Sequence, residues 1–216
     1  MTENSLELTP VFRYLTSVTP EDIAASYNQI ASHWDGPDFD RTNGILQHER
    51  ALQFITAPGL ALDLGCGGSG RIIDLLMKRG FQVEGLDTSS EMLGLARRRH
   101  PDVQFYEADI CVWEFPKKYD FISAWDSIWH VSLLQQPEVL RKICTGLKRN
   151  GVFIFTTGGL DAANHGTNAC LGQPLYHATV GIPKILALLT DSGCSCRHLE
   201  YDQYPSSHLY LISQRT

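Results

Sequence analysis

Gly65, Gly67, Gly68 and Gly70 follow directly on the apolar run Leu60, Ala61, Leu62 and Leu64. Such a run suits a buried parallel strand. Glycines at its end let the backbone take conformations closed to other residues and let a ligand lie against the main chain without meeting side chains. A helical pattern begins at once with Arg71, so the geometry favours a nucleotide-like ligand at a strand's carboxyl end. Gly65, Gly67 and Gly70 fit G-x-G-x-x-G, a pattern that many unrelated chains share, so neighbouring residues must narrow the chemistry. Asp63 stands just before the first glycine. Asp87 lies about 20 residues beyond the turn, where a carboxylate accepts hydrogen bonds from both hydroxyls of a ribose.

Periodicity supplies the elements that must hold these groups. Thr19-Pro20-Glu21-Asp22 marks a helix start, with a capping threonine, a proline in the first turn and acids near the positive end. That helix is predicted to run to His33 or Trp34, and residues 1–18 before it form a tail or flap without clear period. Gly36-Pro37-Asp38 and Thr42-Asn43-Gly44 punctuate a loop, and residues 45–55 give a second amphipathic helix that stops before Pro58. His48 on it is either a substrate contact or a hydrogen-bonded histidine. Gly80 closes the helix after the glycine turn, residues 81–87 form strand two, and Thr88-Ser89-Ser90-Glu91 caps the next helix. Residues 103–109 and 119–125 supply strands three and four, a helix covers 137–147, and Asn150-Gly151 turns the chain into strand five at 152–157. The polar, irregular stretch 158–181 then follows, on the face where such folds carry specificity loops. A helix at 182–193 leads to strands six and seven at 196–202 and 208–214, whose short link makes them antiparallel.

Asp63, Leu64, Gly65, Cys66 and Gly67 read D-L-G-C-G, which resembles the first motif of the class I S-adenosylmethionine-dependent methyltransferases. The resemblance extends from about residue 20 over nearly all the remaining chain. It implies an α/β, Rossmann-like three-layer sandwich whose seven-stranded, mostly parallel sheet has the order 3-2-1-4-5-7-6 and an antiparallel C-terminal strand. One domain spans 1–216: a helical cap over 1–58, a cofactor core over 59–157, a substrate loop over 158–181 and a final helix and hairpin over 182–216. Tyr27, Ile30, Ala31 and Trp34 resemble a segment preceding the core in small-molecule methyltransferases related to the ubiquinone-biosynthesis enzymes. By that resemblance Tyr27 and Trp34 lie over the methionine end of S-adenosyl-L-methionine, unless they merely pack a helix onto the sheet. Asp63, Gly65, Cys66 and Gly67 hold the cofactor at the turn, Asp87 and Thr88 hold its ribose, and Met92 packs on the adenine. The Asp109 carboxylate takes the exocyclic amine, and the Ile110 backbone N–H meets a ring nitrogen. Cys111, Val112 and Trp113 wall the ring or fill core.

Methyl transfer from a sulfonium to an acceptor, leaving S-adenosyl-L-homocysteine, needs the lone pair in line with methyl carbon and sulfur. Positioning alone can supply about 7 kcal/mol or more of barrier lowering. A hydroxyl or protonated amine also needs a base, placed just past strand four. The segment Trp125–His130 occupies that place. Trp125 is assigned to the cofactor, His130 is the candidate base, and Asp126 contacts the cofactor ammonium or the acceptor; the bland alternative ties His130 to a carbonyl. Trp129, Tyr176 and His177 are assigned to an aromatic, partly polar pocket for a planar or hydrophobic acceptor. One subgroup of quinone-ring O-methyltransferases carries two glutamates and a histidine as metal ligands here. This chain has Asp126 and His130 at two of those positions and Trp129 at the third, so no metal is expected.

The composition fits this reading. A net charge of −6, with no basic run longer than Arg97-Arg98-Arg99, makes nucleic acid a poor partner. Met1–Glu7 is polar and acidic, and no run approaches the roughly 18 apolar residues of a membrane span. A cytoplasmic monomer or homodimer acting on a small molecule is expected. The six cysteines follow no disulfide framework and are expected reduced; Cys194, Cys196 and His198 alternate along a strand but match no zinc pattern. The competing readings are a tRNA or protein methyltransferase, a cofactor-binding protein without turnover, and a dinucleotide-binding module.

Overall fold

The computed structural model describes residues 18–216, so most of the expected N-terminal tail lies outside the described residues. Helix α1 (Pro20–Ile30) starts on a complete capping box. Thr19 Oγ1 accepts from Asp22 N at 3.2 Å, and Asp22 Oδ2 accepts from Thr19 N at 2.9 Å. Its last turn tightens into a 3-10 segment over Ala31–Asp35, followed by α2 (Ile45–Leu52). The core is β1 (Leu60–Leu64), α3 (Arg71–Lys78), β2 (Gln82–Asp87), α4 (Ser90–Arg99), β3 (Gln104–Glu107) and β4 (Tyr119–Ala124). Then come α5 (Gln136–Gly146), β5 (Leu147–Gly158), β6 (Asn164–Cys170), β7 (Gln173–Thr179), α6 (Ile182–Asp191), β8 (Cys194–Glu200) and β9 (His208–Arg215).

Seven strands pair in the order β3-β2-β1-β4-β5-β9-β8, parallel except for β9, which runs antiparallel to both neighbours. This is the expected 3-2-1-4-5-7-6 arrangement once β6 and β7 are set apart. The stretch expected as an irregular loop is instead their antiparallel hairpin, joined at Leu171-Gly172 and carried outside the main sheet. Its polar sequence hid the strands because most of β6 faces solvent.

Strand alternation sends side chains to two separate cores. Leu62, Leu64, Ile122, Phe153 and Phe155 pack under α5 and α6, while Ala61, Phe121, Val152 and Ile154 pack under α2, α3 and α4. Asp63 has the parity of Ala61 and is buried beneath the second group of helices, beside Ser123 of β4. His48 reaches the same place from α2. Its Nδ1 donates to the Gly44 carbonyl at 2.6 Å, which leaves Nε2 to accept from Ser123 Oγ at 2.9 Å. Burial lowers the His48 pKa from 6.5 to about 4 and raises that of Asp63 from 3.8 to about 7.

These two shifts act oppositely on stability. The unfolded chain protonates histidine near 6.5, so the stabilisation from a neutral His48 is complete above that pH and is lost as pH falls towards 4. Asp63 gains protons on folding and stabilises increasingly as pH drops from about 7 to 3.8. Asp87, whose pKa burial also raises, acts with the sign of Asp63, and His130 with that of His48. In Asp63→Asn one of the two opposing carboxylates is gone, so its urea midpoint should fall more between pH 6.5 and 4.5 than that of the wild type. Parallel profiles would show that Asp63 is not held protonated by burial.

Candidate active site

A cavity of about 270 Å³ opens at the carboxyl ends of the central strands. From the N-terminal segment it is lined by Tyr27 and Trp34, from the turn by Gly65, Cys66 and Gly67, and from β2 onward by Asp87, Thr88 and Met92. Asp109 and Ile110 follow from the end of β3, and Trp125, Asp126 and His130 from the segment after β4. Two glycines are needed by the turn itself. Gly65 has φ +68° and a Cβ there would lie 2.3 Å from Ser127 Cβ, whereas at Gly67, φ +56°, a Cβ would meet nothing within 4 Å because the cavity is there.

The carboxylates on consecutive strand tips are held by main-chain donors. Asp87 accepts from Gly67 N at 2.8 Å and from Ser89 N at 2.9 Å, bonds that hold the carboxylate against the upward pKa shift from burial. Ser89 in turn caps α4 by accepting from Met92 N, which sets Met92 into the cavity wall. Asp109 accepts from Cys111 N at 2.9 Å, and the Lys142 ammonium gathers the loop behind it by donating to the carbonyls of Ile110, Cys111 and Trp113. Cys111 belongs to the wall, Val112 is exposed, and Trp113 packs between Tyr106 and Phe115.

At the opposite end lie two groups of opposite charge. The Arg71 guanidinium is half-buried at the start of α3, donating through Nε to the Asn43 carbonyl at 2.8 Å and through Nη1 to Ser69 Oγ at 2.9 Å, with the Phe39 ring 5.1 Å away. Among the described residues it has no carboxylate within ion-pair distance. Asp126 faces the same cavity with φ +51°, a left-handed conformation unusual for aspartate. Its N–H donates to Thr156 Oγ1 at 2.8 Å, and its carboxylate accepts from Asn43 Nδ2 at 3.1 Å and from His208 Nε2 at 3.0 Å. His208 Nδ1 donates to Asp202 at 2.5 Å, and Asp202 also accepts from Gln47. Both imidazole nitrogens thus face carboxylates, which raise the His208 pKa against the pull of burial.

His130 is in place but engaged. Nδ1 donates to the Tyr176 carbonyl at 2.6 Å, so Nε2 is the acceptor for Tyr27 Oη at 2.8 Å and Trp129 Nε1 at 3.0 Å. Burial lowers its pKa to about 4. An imidazole with its lone pair shared by two donors and little proton affinity is a poor general base, and it serves to fix the Tyr27 hydroxyl.

Two assignments, Asp63 and Tyr176, need correcting. Asp63 does not line the cavity, because strand parity turns it under α2 and α3. Tyr176, on β7, is buried against Ile23 of α1, its hydroxyl accepting from Leu133 N at 3.2 Å. Trp129 and His177 face a second cavity. Among the described residues no group of three metal-ligating side chains is placed to hold an ion, and a bulge between Cys196 and His198 breaks their alternation.

Arg71, Asn43, Asp202 and His208 were not singled out from the sequence. A signal existed for Arg71, since a cation at the positive end of a helix dipole is unfavourable and invites a counter-charge. For the others, separated from Asp126 by tens of residues, there was none.

A family model described as a methyltransferase domain matches residues 61–151. The trans-aconitate 2-methyltransferase of Rhodopseudomonas palustris is 37% identical over 102 residues, 45% of this chain and 38% of that protein. The ubiquinone biosynthesis O-methyltransferase of Idiomarina loihiensis is 30% identical over 154 residues, 65% of this chain and 61% of that protein. Residues 61–151 thus resemble a methyltransferase domain, and the relatives matched are S-adenosylmethionine-type methyltransferases. The chain spans less than two thirds of either curated relative's length. The solved 1,6-didemethyltoxoflavin N1-methyltransferase of Burkholderia thailandensis superposes with TM-score 0.69 over 100% of this chain and 93% of that one, at 16% identity, a likeness of fold. In this fold the glycine bend, the strand-tip acids and the charged groups Arg71 and Asp126 gather around one cavity.

Proposed function

We propose that this protein transfers the methyl group of S-adenosylmethionine to a small-molecule acceptor, in the cytoplasm, as a monomer or homodimer. The observation that carries the reading is the lining of one cavity: two carboxylates on adjacent strand tips at one end, and Arg71 with Asp126 at the other. Asp87 and Thr88 suit a ribose, Asp109 and Ile110 an adenine edge, and Met92 its face. Arg71 and Asp126, kept apart by Asn43, match the carboxylate and ammonium of an amino-acid zwitterion. The open space over Gly67 leaves room for such a ligand against the main chain.

When bound, the cofactor supplies an electrophilic methyl carbon on a positively charged sulfur. This chain's own groups align it: Tyr27, fixed by His130, and Trp34 close the methionine end, and Arg71 and Asp126 orient its polar head. Held there, the cofactor would offer that carbon to an acceptor's lone pair, with sulfur as the leaving group that keeps the electron pair. Relatives named for trans-aconitate and for ubiquinone biosynthesis act on small molecules, in keeping with this proposal.

Calorimetric titration with S-adenosylhomocysteine tests the reading, with saturable one-to-one binding expected. Absence of heat at any temperature, together with NADH binding that Asp87→Ala abolishes, would instead identify a dinucleotide-binding module.

A further inference from the structure

The second cavity, about 370 Å³, lies between the β6–β7 hairpin, the end of β5 and the link into β9. Among the described residues its lining holds Asn164, Asn168, His165, His177, Thr179 and Gln203 and no Asp, Glu, Lys or Arg. His177 has an Nδ1 without a hydrogen-bond partner among the described residues, so the ring's polarity is not used up within the fold. The lining's one charged group is the His208 imidazolium, already committed to Asp126 and Asp202, and His165 stands exposed at the rim.

The partition from the methyl-donor cavity is one side-chain layer thick. Trp129 and His208 face the second cavity. Trp129 donates to His130 and His208 donates to Asp126, and both of these partners line the first. The Trp129 indole is half-buried and meets His177 and His208 edge-on, so it is the side chain that would have to turn, giving up its bond to His130, for the two spaces to join.

We infer that the second cavity is the acceptor site, and that it selects an uncharged molecule with several hydrogen-bonding groups, such as a hydroxylated or nitrogen-containing ring, over a carboxylic acid. This rests on the methyltransferase reading above. A carboxylate bound here finds no unpaired cation among the lining residues and faces a His208 already neutralised by Asp126 and Asp202, whose negative charge repels it. Neutral amides, imidazoles and hydroxyls both donate and accept, which suits a ring bearing N–H and C=O groups. The acceptor's N–H or O–H loses its proton to solvent as the nitrogen or oxygen gains the methyl group and sulfur keeps the electron pair.

The test compares wild-type protein with Gly166→Trp and His177→Phe. Gly166 lines the cavity opposite His177 in the hairpin register, and its Cβ position meets nothing within 4 Å, so tryptophan fills the space. Radiolabelled methyl transfer is measured against two sets of compounds: neutral pyrimidinediones, pteridinediones and catechols, and di- and tricarboxylic acids. Label is expected in the neutral set alone for the wild type and in neither set for Gly166→Trp, although both bind S-adenosylhomocysteine with equal affinity. His177→Phe should raise the KM of the labelled acceptor about tenfold with kcat nearly unchanged. Labelling of the carboxylic acids, labelling undiminished in Gly166→Trp, or no labelling of the neutral set by a wild type that binds S-adenosylhomocysteine overturns the inference. Failure of wild type to bind S-adenosylhomocysteine overturns the methyltransferase reading instead.

Discussion

Replacing Arg71 by methionine is expected to weaken S-adenosylhomocysteine binding by about 2 kcal/mol, roughly thirtyfold, while 5′-methylthioadenosine binds as before. The second ligand shares adenine, ribose and sulfur with the first but lacks the amino-acid head. Arg71 is a half-buried cation facing the cavity, with no carboxylate in ion-pair contact among the described residues. Burying a cation in this way is unfavourable until an anion arrives, so loss of the guanidinium should register on the ligand that brings a carboxylate. Methionine gives up both the guanidinium's contact with the Phe39 ring and the bonds to Asn43 and Ser69. If that loosening were the main effect, both ligands would lose affinity together and the thermal midpoint would drop. Equal losses would therefore assign Arg71 a structural role, and no loss for S-adenosylhomocysteine would remove it from the site.

The complementary pattern is expected for Asp87→Asn. Both ligands carry the ribose, so both should bind more weakly, by about 1 to 3 kcal/mol, as the charge-assisted bonds are lost. The amide oxygen can still accept one of the two main-chain bonds that Asp87 now takes from Gly67 and Ser89, so the fold should survive with a modest drop in midpoint. Calorimetry on the two ligands separates the positions cleanly. Arg71 discriminates between them and Asp87 does not. Unchanged affinity in Asp87→Asn would mean that the ribose lies elsewhere.

Most of the fold was legible in local signals. Runs such as residues 60–64, 81–87 and 152–157 are apolar enough to declare buried strands, and Gly80 and Gly193 close helices by adopting positive φ. The antiparallel ending followed from a link too short for a crossover. The hairpin β6–β7 was missed because its β6 strand alternates nothing: exposed on both faces, it carries no periodicity to read.

The site divides along the same line. Tyr27, Trp34, Gly65, Cys66, Gly67, Asp87, Thr88, Met92, Asp109, Ile110, Trp125, Asp126 and His130 all line the cavity, because each sits at or just past a strand tip or on the adjoining cap, a placement fixed by chain order. Asp63 failed by one position of strand parity, which sends alternate residues of β1 to opposite cores.

Chain order alone determined where the strand tips fall and which residues follow them, since a parallel sheet puts every carboxyl end on one side. Only the tertiary structure decided which of those groups are free to act. The His130 lone pair is occupied by Tyr27 and Trp129, His208 is clasped by Asp126 and Asp202, and Arg71 is left without a carboxylate partner among the described residues. These are pairings between residues far apart in the chain, and hydrogen bonding and ion pairing depend on angstrom-scale distance that local sequence does not encode.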